Sequence, residues 1–576
     1  MDTLTIIFSL IGLPFFFVFL IISIFVVKIF TGKSINDPEY APVKGSVFNM
    51  LFYFDHLYDH QLKLPENFEH LFGDGIFAVD GDKWRQQRKL ASHELSAKVL
   101  RDFSCSVFKR NAARLVIAVS ELSVSGQGIE LQDMLMKFTM ESIIKVGFGV
   151  DLNCMSFSSE KDEGMKFMKA FDDATESLYF RYIDPLWKLK RFLNISSEAS
   201  LKNNIKIIDD FIFNVLRTKR KQLALNPDLT VKEDILSRFL AEKEKNPETM
   251  TDKYLRDIIF SFMIAGKDTT ANALCWFIYM LCKNPSVQEK VAQEVMDVTC
   301  SGGGRSYVNL DDFLASITDE TLQKMQYLHA ALTETLRLYP VAPMDGRCAM
   351  EDDILPDGHK INKGDEVSYL AYAMGRMPYI WGEDAEVFRP ERWLKNGVFQ
   401  PESPFKFISF HAGPRICLGK EFAYRQMKIF SIALLRCFRF KLEDDMKDAI
   451  YKVTFTLHMK GGLHLRAIPR TTPPDPMICF SDDTLPNRFS VMKGDIVAYQ
   501  PHAMGGMKFI CRRCKRSIDQ ERRLDKNDMF QSEISFKLTA FQVRKNTHLG
   551  TLQFVLRFDH FSGSHIVSLV VSRLKK

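Results

Sequence analysis

The stretch Phe410-His411-Ala412-Gly413-Pro414-Arg415-Ile416-Cys417-Leu418-Gly419 sets a phenylalanine, a glycine, an arginine, a cysteine and a second glycine at fixed spacing. Each residue type has a physical use there. Glycine permits a tight turn that lets backbone approach a flat ligand. Arginine can pair with a carboxylate, and cysteine can supply a thiolate. The largely apolar run after Gly419, ending near Leu435, reads as a helix that starts just past the cysteine. Its N-terminal dipole favours the charged thiolate. A lone cysteine in a turn is most often an ordinary buried thiol. Five positions matched at once point instead to a built ligand site.

Working outward, Glu334-Thr335-Leu336-Arg337 puts an acid and a base at i and i+3, on one helix face. They can pair there and receive a second arginine. Ala265-Gly266-Lys267-Asp268-Thr269-Thr270 lies midway along an apolar helix read from Lys253 to Cys282, where an acid and two hydroxyls are out of place. Small residues let such a helix open locally, and Thr269 can bond a carbonyl one turn back. Further helical periods run through Lys98 to Leu122, Leu131 to Gly147, Leu201 to Leu223, Ser286 to Val298 and Leu322 to Leu338. The alternating, glycine-punctuated run from Asp352 to Tyr372 reads as short strands and turns. The fold class is therefore mainly α with small β-sheets.

The loop around Cys417 resembles the haem-binding loop of the cytochrome P450 family, and other matches follow in family order. Glu334 and Arg337 resemble the E-x-x-R of the K helix. Phe388-Arg389-Pro390-Glu391-Arg392-Trp393 resembles the downstream P-E-R-F element, and Trp84 with Arg88 has the W-x-x-x-R spacing of the C helix. The resemblance implies the P450 fold over residues 34–470 and haem b ligated through its iron by Cys417, with Phe410, Gly413 and Gly419 shaping the loop. It implies propionate partners in Trp84, Arg88, Arg415 and Arg347, and a structural triad of Glu334, Arg337 and Arg392 behind the haem. It makes Thr269 and Asp268 the residues that deliver protons during oxygen activation, assisted by electron donation from the thiolate.

The chain has 576 residues, 46% of them hydrophobic and 26% charged, the balance of a folded globular protein rather than a disordered one. Seventy-seven basic against 71 acidic residues leave +6, too small an excess to indicate nucleic-acid binding. Eleven cysteines scattered singly exclude a disulfide framework and suit a reducing compartment. The C-x-x-C spacing of Cys511 and Cys514 lacks a second pair and reads as chance. From Leu4 to Val27, 24 residues carry no charge. At 1.5 Å per residue such a helix reaches about 36 Å, enough to cross a hydrocarbon core of about 30 Å. Without a basic leader or small-residue cleavage site, residues 1–33 are expected to be a retained anchor. Lys28 and Lys33 follow it and only Asp2 precedes it, which leaves the remainder in the cytosol.

Two features depart from the family pattern. About forty residues separate the Pro38 and Pro42 hinge from Trp84, too few for the first strand pair and B helix, so that block is expected to be missing. The tail also repeats earlier sequence. Asp352-Asp353-Ile354-Leu355-Pro356 recurs as Asp482-Asp483-Thr484-Leu485-Pro486, and Lys363-Gly364-Asp365 as Lys493-Gly494-Asp495, both at a shift of 130. Residues 471–576 read as a degenerate partial repeat of residues 352–440, not an independent domain. At a shift of 131, Cys417, Gly413 and Arg415 become His548, Arg544 and Asn546, so the copy lacks the means to hold haem.

Asp80-Gly81-Asp82-Lys83-Trp84 and Phe422-Ala423-Tyr424-Arg425-Gln426 narrow the resemblance to plant enzymes of the fatty-acid ω-hydroxylase clan, near the 704 family. That implies insertion of one oxygen atom from O2 at the end of a medium or long acyl chain. The implied partners are NADPH-cytochrome P450 reductase as electron source, a lipid substrate and the endoplasmic reticulum membrane, which a single span would cross. The chain has no dinucleotide fingerprint of its own. The alternatives are a non-catalytic, membrane-tethered haem protein derived from such an enzyme and, less well supported, a structural membrane protein without haem.

Overall fold

The computed structural model describes residues 71–470 apart from short internal breaks and, beyond residue 470, short strand segments. The apolar run 4–27, the expected missing block and the Cys511 and Cys514 pair lie outside the described residues. Residues Met1–Thr299 and Leu314–Ile468 form one compact unit, and Cys300–Phe313 with Pro469–Lys576 form a second.

The first unit is mainly helical, as expected. Helices α1 (Gly81–Ser96) and α2 (Lys98–Ser125) are parted by the extended residue Ala97. Strand β1 (Ile129–Glu130) leads into α3 (Leu131–Phe148), whose N-terminus is closed by the Glu130 carboxylate accepting from the backbone of Gln132 and Asp133. Such a cap satisfies amides that the helix itself leaves unpaired. Then come α4 (Glu163–Phe180), α5 (Trp187–Leu193), α6 (Ser196–Leu225) and α7 (Ile235–Lys245). Two consecutive pieces follow, α8 (Asp252–Gly266) and α9 (Asp268–Lys283), and then α10 (Pro285–Cys300), α11 (Leu310–Ser316), α12 (Asp319–Lys324) and α13 (Gln326–Leu338).

A region of strands and turns separates these from the last long helix. Strands β2 (Asp345–Cys348), β3 (Asp353–Ile354), β4 (Lys360–Ile361) and β5 (Glu366–Tyr369) pair antiparallel as β2 with β5 and β3 with β4. Short helices α14 (Ala371–Met374) and α15 (Pro378–Trp381) precede the hairpin of β6 (Leu394–Lys395) and β7 (Val398–Phe399). Helix α16 (Lys420–Cys437) runs into β8 (Phe438–Leu442). After β9 (Tyr451–Val453) and β10 (Leu457–Met459), strand β11 (His464–Pro469) joins β1 and β8 in a three-stranded sheet.

Helix α9 is the axis of the core. Its residues 270–282 are buried all round, and it packs against α3, α13 and α16. Trp276 stacks on Tyr339 with ring centroids 4.0 Å apart, and its indole N–H donates to the Leu457 carbonyl at 2.8 Å. A helix hydrophobic on every face has to be enclosed.

Two runs read as single helices are divided, the first where a local opening beside Ala265 and Gly266 was expected. The run from Lys253 to Cys282 breaks at Lys267, where ψ falls to −75°. The run from Leu322 to Leu338 breaks at Met325, because both oxygens of Glu294 on α10 accept from the backbone N–H groups of Tyr327 and Leu328, at 2.7 and 2.8 Å. A carboxylate on those amides starts a new helix.

In the second unit the sequence repeat reappears as strand register. Strands β12 (Met477–Ile478), β13 (Asp483–Thr484), β14 (Ser490–Val491) and β15 (Ile496–Gln500) are described there. Arg347 opposite Val367 becomes Met477 opposite Val497, and Asp353 opposite Ile361 becomes Asp483 opposite Val491, each at the shift of 130. The remaining strands there are β16 (Val543–Lys545), paired with β17 (Leu552–Phe554), and β18 (Ser568–Val571), paired with β15. His548 lies outside the described residues.

Candidate active site

The Cys417 loop is a backbone device. Gly413 has φ +67°, a conformation that glycine adopts without cost, and a Cβ added there would meet nothing within 4 Å. The space over the turn is open. The Cys417 amide donates to the Phe410 carbonyl at 2.8 Å, and the Ile416 amide to Gly413 at 3.1 Å. These bonds close the loop and leave the thiol exposed, with Gly419 beside it and α16 beginning at the next residue. Phe410 anchors the loop on Tyr424 of α16, ring centroids 5.3 Å apart. Burial of the surroundings raises the Cys417 thiol, while the Gly419 amide, Arg88 and Lys420 favour the thiolate.

Trp84, Arg88 and Arg415 converge on this loop although more than 320 residues part the first two from the third. Arg88 Nη2 donates to the Ile416 carbonyl at 2.6 Å. The Arg415 guanidinium lies 4.4 Å over the Trp84 ring and also pairs with Asp80 at the start of α1; Arg88 lies 5.6 Å over the same ring. Burial lowers the Arg88 guanidinium from its ordinary value; Cys417 opposes that shift and Arg415 adds to it. Arg347 has different partners from the other two arginines. It is bonded to Asp345 at 2.5 Å, and the chain of contacts to the loop passes from Asp345 through the Tyr369 hydroxyl, at 2.7 Å, to His411 Nδ1, at 3.0 Å.

At the break in the long helix, the Thr269 hydroxyl donates to the Ala265 carbonyl at 2.5 Å. Ala265 is exposed and Thr269 partly so, on a helix that is otherwise core. An alanine uncovered at that place marks unfilled space along one face. Gly266 serves close packing, since a Cβ there would meet Ile143 of α3 at 2.7 Å. Asp268 is buried and turns Oδ1 to Lys267 Nζ at 2.8 Å. Sequence reading passed over Lys267 itself; a lysine inside an apolar helix was the available signal.

The structure brings Glu334, Arg337 and Arg392 together. Glu334 is fully buried and Arg337 2% exposed, joined by two bonds at 2.7 and 2.8 Å, with Arg392 Nε at 3.4 Å from Glu334. Three further donors and acceptors were not anticipated. The Trp393 indole and the Arg389 amide donate to Glu334 at 2.9 and 3.0 Å, and Asp384 accepts from Arg392 at 3.0 Å. Arg337 also reaches the carbonyls of Gly375 and Ala385. Gly375 has no alternative, because a Cβ there would lie 2.0 Å from the Arg337 carbonyl. The group fastens α13 to the segment 375–393 and contacts neither Cys417 nor Thr269.

The residues present fit a flat group with two carboxylates that takes one thiolate ligand. The thiol and the Gly413 turn are open, two guanidiniums flank the loop, and Ala265 and Thr269 line a bare helical face. Among the described residues no helix is long and apolar enough to cross a membrane.

Residues 59–466 match the family model described as Cytochrome P450. Cytochrome P450 704C1 of Pinus taeda is 49% identical over 407 residues, covering 69% of this chain and 78% of its own length. Cytochrome P450 704B1 of Arabidopsis thaliana is 43% identical over 428 residues, covering 70% of this chain and 81% of its own. Cytochrome P450 86B1 of the same plant is 40% identical over 409 residues, covering 70% and 72%.

Proposed function

The chain belongs to the cytochrome P450 monooxygenase family, beside its plant 704 members, and from that premise we propose that it hydroxylates the terminal end of a medium or long fatty acid. Membership implies haem iron, O2, electrons from a reductase and a lipid substrate; NADPH as the ultimate donor is part of the proposal. Bound at Cys417, haem supplies reductive activation of O2, one atom going to substrate and the other to water. Cys417 Sγ holds the thiolate, favoured by the Gly419 amide and by Arg88. Arg88 and Arg415 would hold the propionates beside Trp84, with Arg347 as a further partner, while Asp345 and the Tyr369 hydroxyl hold His411 at the loop edge. Thr269 stands on the bare face of α8 and α9 and holds a proton at Oγ1, and Asp268 replenishes it.

The observation that carries the reading is the convergence of Trp84, Arg88 and Arg415 on an open Cys417 loop. A membrane site at the endoplasmic reticulum belongs to the same proposal. Its support is α5 and its flanks, where Phe192 is 84% exposed among the exposed Leu186, Leu189, Leu193 and Ile195, with Lys188, Lys190 and Arg191 alongside. Apolar side chains beside cations suit an anionic lipid surface.

The reduced, carbon-monoxide-bound difference spectrum of the whole chain tests the haem reading. The red-shifted Soret band of a thiolate-ligated haem is expected, lost in Cys417→Ala; a band that survives the substitution defeats the assignment. Terminally hydroxylated product from acyl substrates with reductase and NADPH is then expected. Haem without turnover would favour the non-catalytic alternative.

A further inference from the structure

Lys267 occupies the break between α8 and α9 with 1% of its surface exposed. Its ammonium donates to Asp268 Oδ1 at 2.8 Å and to Asp172 Oδ1 on α4, and lies 5.5 Å over the Phe171 ring. The two carboxylates differ in access. Asp268 is enclosed, whereas the Asp172 side chain is 48% exposed. Two carboxylates sharing one ammonium leave one negative charge uncompensated unless one of them holds a proton. The open one can exchange it.

We propose that Asp172 is the positioning and reloading partner of Asp268, taking protons from the open side and passing them across Lys267. The inference rests on the proposed role of Asp268. When Asp268 has released its proton, one N–H bond of Lys267 breaks as an O–H bond forms at Asp268 Oδ1. In the same concerted shift the Asp172 carboxyl gives its proton to Lys267 Nζ. The ammonium is restored, Asp172 is left as a carboxylate, and water on its open side reprotonates it. One proton enters for each that leaves, and no electron moves. Concertedness is required because a lysine held between two carboxylates is strongly disposed to remain an ammonium.

The charged surroundings suit this assignment. Burial raises the Asp172 carboxyl, Asp268 and Asp173 raise it further, and Lys267 opposes them. One turn along α4, Glu176 is bonded to Lys452 on β9 at 2.5 Å. On α6, packed along α4, Glu198 is paired with Arg181 just beyond the end of α4. From β10, His458 faces the same cluster, its imidazole lowered by burial and raised by Asp268. It bonds Thr456 at 2.9 Å, and Thr456 accepts from Asn272, one turn beyond Asp268 on α9, at 3.1 Å. That arm has no opening comparable to Asp172.

The test uses the haem-loaded full chain as wild type, Asp172→Asn, Asp172→Glu and Asp268→Asn. An infrared pH titration of the wild type should show a protonated carboxyl band that disappears as pH rises through the neutral-acid range and is missing in Asp172→Asn. Wild type without such a band, or Asp172→Asn retaining it, overturns the proposal. In turnover, Asp172→Asn should keep the carbon-monoxide spectrum and lose product about tenfold, with electrons diverted to peroxide and an enlarged solvent isotope effect. Asp172→Glu should recover most of the loss. Asp268→Asn impaired while Asp172→Asn is normal sinks the role of Asp172 and spares that of Asp268. If both turn over normally, the reading of Asp268 falls first. Loss of the spectrum in Asp172→Asn that Asp172→Glu does not repair assigns Asp172 to folding alone and overturns the proposal.

Discussion

His329 on α13 is held between Phe399 and Tyr424, ring centroids 4.2 and 4.3 Å away, with Nδ1 buried and no hydrogen-bond partner for it among the described residues. Burial first, then Lys428 and Lys420, push its imidazole down to about 3 from 6.5. Between those values the unfolded chain binds a proton that the folded chain does not, so stability falls as pH is lowered. The slope approaches about 1.4 kcal/mol per pH unit. Denaturant melts of wild type and His329→Phe across pH 4 to 6.5 should show a shallower fall in the variant; equal slopes count against a buried neutral imidazole. Gly413 invites a second test at this scale. With φ at +67°, Gly413→Ala should cost about 1–2 kcal/mol and lower haem content. The absence of any atom within 4 Å makes backbone strain, not crowding, the cause. Unaltered haem content and stability would contradict it. The need for a glycine was legible from the motif. The isolation of His329 was not, since nothing near it in the chain announces Phe399 or Tyr424.

At the scale of elements, Glu334, Arg337 and Arg392 decide how α13 meets the strand and turn region. Glu334→Ala should leave Arg337 and the Trp393 indole without a buried acceptor and destabilise the chain by about 3–5 kcal/mol. A paired Glu334→Ala, Arg337→Met chain should lose less than the sum of the single losses. Additive losses measured by denaturant unfolding would show that the two residues act separately. The helices were readable to within a few residues where periodicity was strong, as in α2 and α3. The opening beside Gly266 was legible from its small residues, whereas the partner on another helix that holds it, and the break at Met325, were not. Lys267 is drawn to Asp172 on α4, and the amides after Met325 are capped by Glu294 on α10. A one-dimensional hydrophobic period carries no trace of such partners.

For the whole molecule, the division between Ile468 and Pro469 bears on the repeat. We propose that the tail is dispensable for the haem site, and a chain ending at Arg470 should keep the carbon-monoxide spectrum and its melting temperature within a few degrees. Loss of haem binding would make the tail a structural part of the enzyme unit. The backbone register of β2 to β5 recurs in β12 to β15, so the copied sequence still directs strand pairing although its side chains have diverged. By itself the sequence determined the helical class, the Cys417 loop, the acid and arginine on one face of α13, the polar interruption before Thr269, and the repeat. These are local, written in spacing and period, and survive projection onto a line. Only the tertiary structure decided that Arg415 lies over Trp84, that Arg88 reaches the Ile416 carbonyl, and that Lys267 binds Asp172 as well as Asp268. The physical reason is that an ion pair or a ring contact across ninety or three hundred residues depends on which helices the buried core brings side by side. That choice is made by packing the whole set at once.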